Sequence, residues 1–468
     1  MTVENLDIVI VGATGNLAKR KLLPALYDLE VQGLLPAQGR VIGTARSPYS
    51  QEAFRSMARE AIGAEARSAW DDETWAGLAA RLKYIQLPDG DLSQLRAELT
   101  QAERLIFLAI PPSYFGSTAR GLAEQGLVEG TRLLIEKPFG RDLESARDLD
   151  RELRSVLDES QIFRIDHYLG KETVQNILVF RFGNAVFERI WNRDAIDHIE
   201  ITVAESVGME GRGYFYEEVG ALRDIVQNHM LQVLSVLTME PPASFDAEAI
   251  RDEKVKLLRA VQPLDPANIV RGQYTRGMAD GREAPAYREE ENVAPDSDVE
   301  TFAAAKIEIE NWRWAGVPIY LRTGKRLPFR STEIEIAFKT VPRTYFEATP
   351  VEHVSPNTLT LCIQPEEEIT FSFLAKVPGQ EINVKQVSMN FSYDSAFSAE
   401  PAEAYERLIH DAIEGDRTLF VRADSVERAW QIVQPALDHP PPLSFYAAGS
   451  WGPFESDELI SPLTWHLR

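Results

Sequence analysis

The sequence predicts a doubly wound α/β domain followed by an α+β domain, and three observations carry that prediction. Short apolar runs alternate with amphipathic stretches from Asp7 to about Ile165, the signature of a parallel sheet flanked by helices. Period-2 runs without intervening helices then dominate from Pro318 to Phe373, the pattern of an antiparallel sheet with one face covered. The length of 468 residues suits two or three domains, at roughly 100–200 residues each.

The elements follow in order. Asp7-Ile-Val-Ile-Val-Gly12 is β-branched and ends in glycine, as a buried parallel strand does. Asn16–Leu29 places Leu17, Leu22, Leu23, Leu26 and Leu29 near helical spacing. Further strands are expected at Arg40–Ala45, Leu82–Leu87, Leu105–Ile110, Arg132–Ile135 and Ile162–Ile165. From about Lys171 the pattern changes, with helices expected near Lys171–Arg181, Ala221–Thr238 and Ala247–Val261. Gln262–Glu300 is polar, holds Arg-Glu-Glu-Glu-Asn at 288–292, and reads as a long surface excursion. Alternating strands are expected at Pro318–Arg322, Glu333–Phe338, Leu359–Ile363 and Ile369–Phe373, then helices near Ala402–Ile413 and Ser425–Pro435.

Composition excludes several classes. Asp plus Glu is 72 against 49 Lys plus Arg, a net charge of −23, which repels nucleic acid. Met1–Asp7 is acidic and lacks the features of a signal peptide. No apolar run approaches the roughly 18–20 residues of a membrane span, so no membrane partner is expected. The single cysteine, Cys362, excludes an intrachain disulfide and a cysteine zinc site, and it fits a cytoplasmic, reducing setting. No spacing of His, Asp and Glu reads as a metal site. The acid excess argues at first sight against anionic small molecules too.

Five stretches carry chemistry. Gly12-Ala-Thr-Gly15-Asn16-Leu17-Ala18 follows the first strand and opens a helix, so small residues and free N–H groups can meet a pyrophosphate; the alternative is a tight turn with no ligand. The second strand ends Gly43-Thr-Ala-Arg46-Ser47 with no acid for a ribose hydroxyl, and Arg46 suits a 2′-phosphate, favouring NADP over NAD unless it is simply a surface arginine. Glu136-Lys137-Pro138-Phe139-Gly140 ends a later strand and places Lys137 for an anion or a sugar hydroxyl.

The fourth stretch is the densest. Arg164-Ile-Asp166-His167-Tyr168-Leu-Gly-Lys171-Glu172 gathers an acid, an imidazole, a phenol and an ammonium. His167 and Lys171 would share a face if a helix began there, which suits a phosphate; the alternative is a solvated cap. Downstream, Arg223, Asp224, Asn228 and His229 interrupt an otherwise apolar helix. His229 is the better candidate for a base, since a free imidazole titrates near pH 6.5. A carboxylate such as Asp166 would orient it if the fold brings the two together.

At these residues the sequence closely resembles the glucose-6-phosphate dehydrogenase family. The matching segments are Gly12–Lys21, Gly43–Ser47, Leu108–Pro112, Glu136–Gly140, Arg164–Glu172, Arg223–Gln232, Asn311–Leu327, Tyr405–Leu408, Ala429–Leu437 and Tyr446–Pro453. Arg164–Glu172 is the most family-specific, whereas Glu-Lys-Pro is shared by other sugar oxidoreductases.

The resemblance implies an α/β Rossmann-type coenzyme domain, residues 1–170, plus a larger α+β domain with a mostly antiparallel sheet, residues 171–468, serving substrate binding and dimerisation. It implies oxidation of glucose 6-phosphate at C1 with NADP, the first step of the pentose phosphate pathway, by a homodimer or homotetramer. His229 matches the general base and Asp166 its paired carboxylate. His167, Tyr168 and Lys171 match phosphate ligands, and Glu205 and Asp224 match contacts to glucose hydroxyls. Lys137 matches a lysine touching substrate and coenzyme, and Lys325 a further substrate lysine. Gly12, Gly15, Asn16, Leu17 and Arg46 match coenzyme contacts, Arg46 at the 2′-phosphate. The chain departs from the family at Asn16, usually Asp, which is still expected to cap the helix. Cys362 and Glu366–Glu368 depart too, away from any catalytic position.

Oxidation of another sugar or sugar phosphate, and coenzyme sensing without catalysis, are the rival functions. The net charge of −23 is compatible with small anions, because charges beyond a Debye length of about 8 Å are screened. Lys21, Arg46, Lys137, Lys171 and Lys325 predict a positive cleft within a negative surface.

Overall fold

The computed structural model describes residues 5–88, 90–279, 281–343, 356–380, 383–397 and 402–466. The chain forms two compact units. The first comprises Met1–Glu172 with Pro242–Glu253 and Pro401–Glu427, and the second comprises Thr173–Pro241, Lys254–Glu400 and Arg428–Arg468.

The first unit is built on β1 (Leu6–Val11), β2 (Val41–Ala45), β3 (Leu82–Gln86), β4 (Glu103–Leu108), β5 (Thr131–Glu136) and β6 (Ile162–Ile165). They pair in parallel in the order 3-2-1-4-5-6, the dinucleotide-binding order. Leu6, Ile8, Val9 and Ile10 are all buried, which explains why β1 is a continuous apolar run rather than an alternating one. Phe420–Val421 joins β6 as an antiparallel edge pair.

Two later segments pack onto this sheet for identifiable reasons. The helix Ala404–Glu414 buries Leu408, Ile409 and Ile413, and its buried Glu406 takes a forked pair of hydrogen bonds from Arg67 at 3.1 and 3.0 Å. Arg422 pairs with Asp252 at 2.6 Å, tying Pro242–Glu253 to the same unit.

The second unit carries a nine-stranded sheet. Its strands are β7 (Ile196–Ala204), β8 (Ile269–Thr275), β11 (Phe302–Ile307), β12 (Ile319–Gly324), β13 (Ser331–Phe338), β14 (Thr358–Gln364), β15 (Glu368–Lys376), β16 (Val384–Ser392) and β18 (Leu443–Ala447). The labels β9 (Gly277–Ala279) and β10 (Arg282–Ala284) denote a separate small hairpin, and β17 denotes Phe420–Val421. The order is 16-15-14-13-7-12-11-8-18. Pairing is antiparallel except for β7 with β12 and β8 with β18.

Three expectations need correction here. Gln262–Glu300 is not one surface excursion: it contains β8, and Tyr274, Tyr287 and Glu300 are buried. Its charges misled because Glu300 and Arg271 neutralise each other inside the unit, at 3.2 Å. Ala221–Thr238 is helical but not uniformly so: Leu222–Met230 winds as a π-helix before Leu231–Thr238 continues as α. Burial is also deeper than one covered face implies, since every residue of β13 is buried, while β15 and β16 stay partly or largely exposed.

Two histidines give this unit a pH dependence. His198 Nδ1 lies 2.8 Å from Asp197 and its Nε2 lies 3.4 Å from Glu200, while His466 Nδ1 lies 3.0 Å from Glu335. Burial alone would lower both imidazoles, but these carboxylates outweigh it and raise them. Raised folded-state values mean the contacts stabilise fully below the unfolded imidazole value of about 6.5 and fade as pH climbs through the folded values. The thermal midpoint is therefore expected to fall as pH rises above about 6.5, with a shallower slope in His198→Asn/His466→Asn; equal slopes would contradict it.

Candidate active site

In the first unit every candidate ligand group leaves the same edge, because parallel strands share one carboxyl end. Gly12 follows β1 with φ +94, and a Cβ there would stand 2.2 Å from the Ala109 carbonyl oxygen, so only glycine fits. Gly12 and Ala13 N–H groups donate to the Thr44 carbonyl at 2.7 and 3.0 Å, locking the turn to β2. Gly15 and Asn16 are exposed and Leu17 is half-buried. Lys19 N–H donates to the Gly15 carbonyl at 3.1 Å, so Gly15 holds the cap position and Asn16 already lies inside the helix. The expected Asn16 cap is thus replaced by an N-terminus that opens on glycine.

Arg46 is exposed just after β2. Its backbone is pinned: Gln86 donates to the Arg46 carbonyl at 3.1 Å, and the Tyr84 hydroxyl donates to Ala45 and Ser47 carbonyls. An exposed glycine turn at a helix start, with a fixed Arg46 beyond the second strand, fits the pyrophosphate and 2′-phosphate of NADP. Lys21 is held by Glu403 at 2.9 Å.

Lys137 and the Asp166–Lys171 segment leave the adjacent strands β5 and β6. The Lys137–Pro138 bond is cis. His167 and Lys171 do not share a helix face, because the helix begins at Glu172 and successive three-residue turns precede it. Leu169, Gly170 and Lys171 N–H groups donate to the carbonyls of Asp166, His167 and Tyr168 at 3.0–3.2 Å. Asp166 is buried and accepts the Tyr168 N–H at 3.0 Å. Lys171 Nζ lies 4.7 Å over the Tyr168 ring, a cation–π contact. His167 Nδ1 is 3.6 Å from Glu136, and its ring stacks on Tyr405. Burial, then Glu136, pushes the Tyr405 hydroxyl far up, so it stays protonated. Glu136 and Tyr405 were not singled out from sequence; Glu136 could have been, as the immediate neighbour of Lys137 at a strand end.

In the second unit β7 and β12 run parallel, with Ala204 paired to Gly324. Glu205 and Lys325 therefore leave side by side, and the buried Lys325 ammonium donates to Glu205. Thr301 accepts the Lys325 N–H at 2.9 Å, and the Tyr446 hydroxyl donates to the Lys325 carbonyl at 2.7 Å. The next residue, Arg326, has left-handed backbone at φ +52.

Tyr216 lies under this pair, with Lys325 Nζ 5.5 Å from its ring centroid. Burial first, then Asp224 and Glu205, drives its hydroxyl well up. No sequence signal marked Tyr216. The π-helix Leu222–Met230 carries Asp224, Asn228 and buried His229. Its start is fixed by Glu300, which accepts Leu222 N–H at 3.1 Å; a Cβ at Gly220 (φ +62) would stand 2.5 Å from that carboxylate. Asn228 donates to the Arg223 carbonyl at 3.0 Å and accepts the His229 N–H at 2.6 Å, holding the wide turns.

Comparison with known proteins identifies the family. The family glucose-6-phosphate dehydrogenase, NAD binding domain, matches residues 9–176, and the family glucose-6-phosphate dehydrogenase, C-terminal domain, matches residues 178–466. The glucose-6-phosphate 1-dehydrogenase of Rhizobium meliloti (strain 1021) is 43% identical over 475 residues, covering 98% of this chain and 96% of that protein. The crystal structure of glucose-6-phosphate 1-dehydrogenase from Mycobacterium avium superposes with TM-score 0.88 at 40% identity, covering 100% of this chain and 99% of that one. A glucose-6-phosphate dehydrogenase solved in complex with its substrate glucose-6-phosphate superposes with TM-score 0.91 at 38% identity, covering 99% of each chain. With both family domains matched in order along nearly the whole length, the chain belongs to the glucose-6-phosphate dehydrogenase family.

Proposed function

We propose that the chain oxidises D-glucose 6-phosphate at C1 to 6-phospho-D-glucono-1,5-lactone, the first step of the pentose phosphate pathway. What supports this most, beyond family membership, is that Lys137 and the Asp166–Lys171 turn lie at the adjacent carboxyl ends of β5 and β6, where open α/β sheets take ligands. NADP, when bound, supplies the hydride acceptor. Gly12, Gly15, Asn16 and Leu17 would hold its pyrophosphate and Arg46 its 2′-phosphate, and Lys137 would contact both coenzyme and sugar.

His229 takes the C1 hydroxyl proton as the C1–H electron pair departs, so that the C1–O bond becomes the lactone carbonyl. Asp166 steadies the resulting imidazolium. His167, Tyr168 and Lys171 hold the phosphate, remote from C1, and so fix the reacting carbon in place. Glu205 and Asp224 accept hydrogen bonds from glucose hydroxyls. Lys325, already paired with Glu205, donates to the sugar.

In the same reading, residues 1–170 form the coenzyme domain and 171–468 the substrate and dimerisation domain. β16 leaves Val387, Met389 and Phe391 exposed on one face, and an apolar strip of that kind supports a homodimer or homotetramer built on the sheet. Among the described residues no helix is long and apolar enough to cross a membrane, and the lone Cys362 supports a cytoplasmic setting.

Three variants test the assignment. His229→Asn is expected to lower kcat on glucose 6-phosphate by about three orders of magnitude or more, with KM nearly unchanged; equal activity would refute the base. Arg46→Ala is expected to weaken NADP far more than NAD, and a parallel loss for both would remove its 2′-phosphate role. Met389→Asp is expected to shift the sedimentation coefficient towards the monomer, whereas an unaltered oligomer would exclude β16 from the interface.

A further inference from the structure

We propose that the first unit holds a second anion site, separate from the residues assigned to the reaction. It is a cavity of about 510 Å³ between the helix Leu143–Arg154, β6 and the first turn of the helix Ala423–Asp438. Its chemistry fits a multiply charged phosphate ester with an apolar part, the class of nucleoside di- and triphosphates.

The cations come first. Arg147, Arg151 and Arg154 stand at i, i+4 and i+7 and so line one face of their helix. Arg164 reaches the same cavity from β6 and is 3% exposed. Arg164 is fixed: it donates to Asp150 at 2.7 Å and to Glu159 at 2.8 Å. The three helix arginines are exposed and paired near solvent. Arg151 pairs with Asp148 and Arg147 with Glu427 at the solvent edge, and Arg154 stands 3.7 Å from Asp150. Such exposed pairs are weak, so an entering polyanion can exchange for them. The first turn of the 16-residue helix Ala423–Asp438 adds the positive end of a helix dipole to the facing wall.

The floor is apolar. Phe139, Leu153 and Val426 line it and are each at most 7% exposed. A bare inorganic anion would leave this floor unused, whereas a base or ring would cover it. The volume lies within the roughly 300–1,000 Å³ of small-molecule sites. In a chain of net charge −23, four arginines lining one cavity balance the four carboxylates beside them, Asp148, Asp150, Glu159 and Glu427, so the acid excess of the whole chain is absent here. The cavity also backs onto the strands of the reaction: Phe139 follows Lys137 by two positions and Arg164 precedes Asp166 by two.

Calorimetric titration of ADP and of inorganic pyrophosphate into the full chain tests the site. Saturating NADPH and glucose 6-phosphate are present throughout, a pair that fills the coenzyme and sugar-phosphate positions without turnover. ADP is expected to bind saturably and more tightly than pyrophosphate. Arg147→Glu/Arg151→Glu is expected to weaken ADP by about tenfold or more, with dehydrogenase activity unchanged. Arg212→Glu/Arg276→Glu, an equal charge change on exposed residues of the other unit, is expected to bind ADP as the unaltered chain does. No saturable ADP binding, pyrophosphate as tight as ADP, an unaltered affinity in the first variant, or an equal loss in the second would each overturn the proposal.

Discussion

Parallel strand pairing is the constraint on which the site depends. A parallel pair delivers the residues after both strands to the same edge, and an antiparallel pair delivers them to opposite edges. In the first unit this collects the glycine turn after β1, Arg46 after β2, Lys137 after β5 and Asp166 after β6. In the second unit most pairing is antiparallel, and one of the two exceptions matters. Because β7 and β12 run together, Glu205 N–H donates to the Gly324 carbonyl at 3.0 Å and the Lys325 ammonium meets the Glu205 side chain. Had β12 run the other way, the lysine and the carboxylate would have left opposite ends of the sheet.

Charge is then managed locally. Lys325 is buried and would be costly alone, but Glu205 pairs with it and the Tyr216 ring faces it. Glu300 is equally costly alone, and it is neutralised by Arg271 while capping the π-helix through Leu222. These pairs keep buried charge matched in a chain of net charge −23, while distant carboxylates are screened over about 8 Å. The π-helix is the other device. Its wide turns, held by Asn228, set His229 one step out of α-helical register with Asp224.

Much of this was legible in the sequence, and the gaps have physical causes. The Rossmann-type half was readable because buried parallel strands are continuous apolar runs, and all six predicted strands lie within a few residues of β1 to β6. Asp166 and His229 stood out because polar residues are out of place in apolar surroundings, and both are buried. β8 was missed because Arg271 and Gln273 lie on it and look solvated until their buried partners are known. The π-helix was missed because its apolar spacing mimics an α-helix. Tyr216, Glu136 and Tyr405 were missed because a buried hydroxyl or carboxylate gains meaning only from neighbours distant in sequence.

On the function proposed, these strand-end groups select a phosphorylated sugar. The most direct measurement is the initial rate of NADPH formation on glucose 6-phosphate and on glucose, at equal NADP. The arrangement of His167, Tyr168 and Lys171 predicts a kcat/KM higher for glucose 6-phosphate by several orders of magnitude. Comparable values for the two sugars, or a preference for glucose, would contradict it.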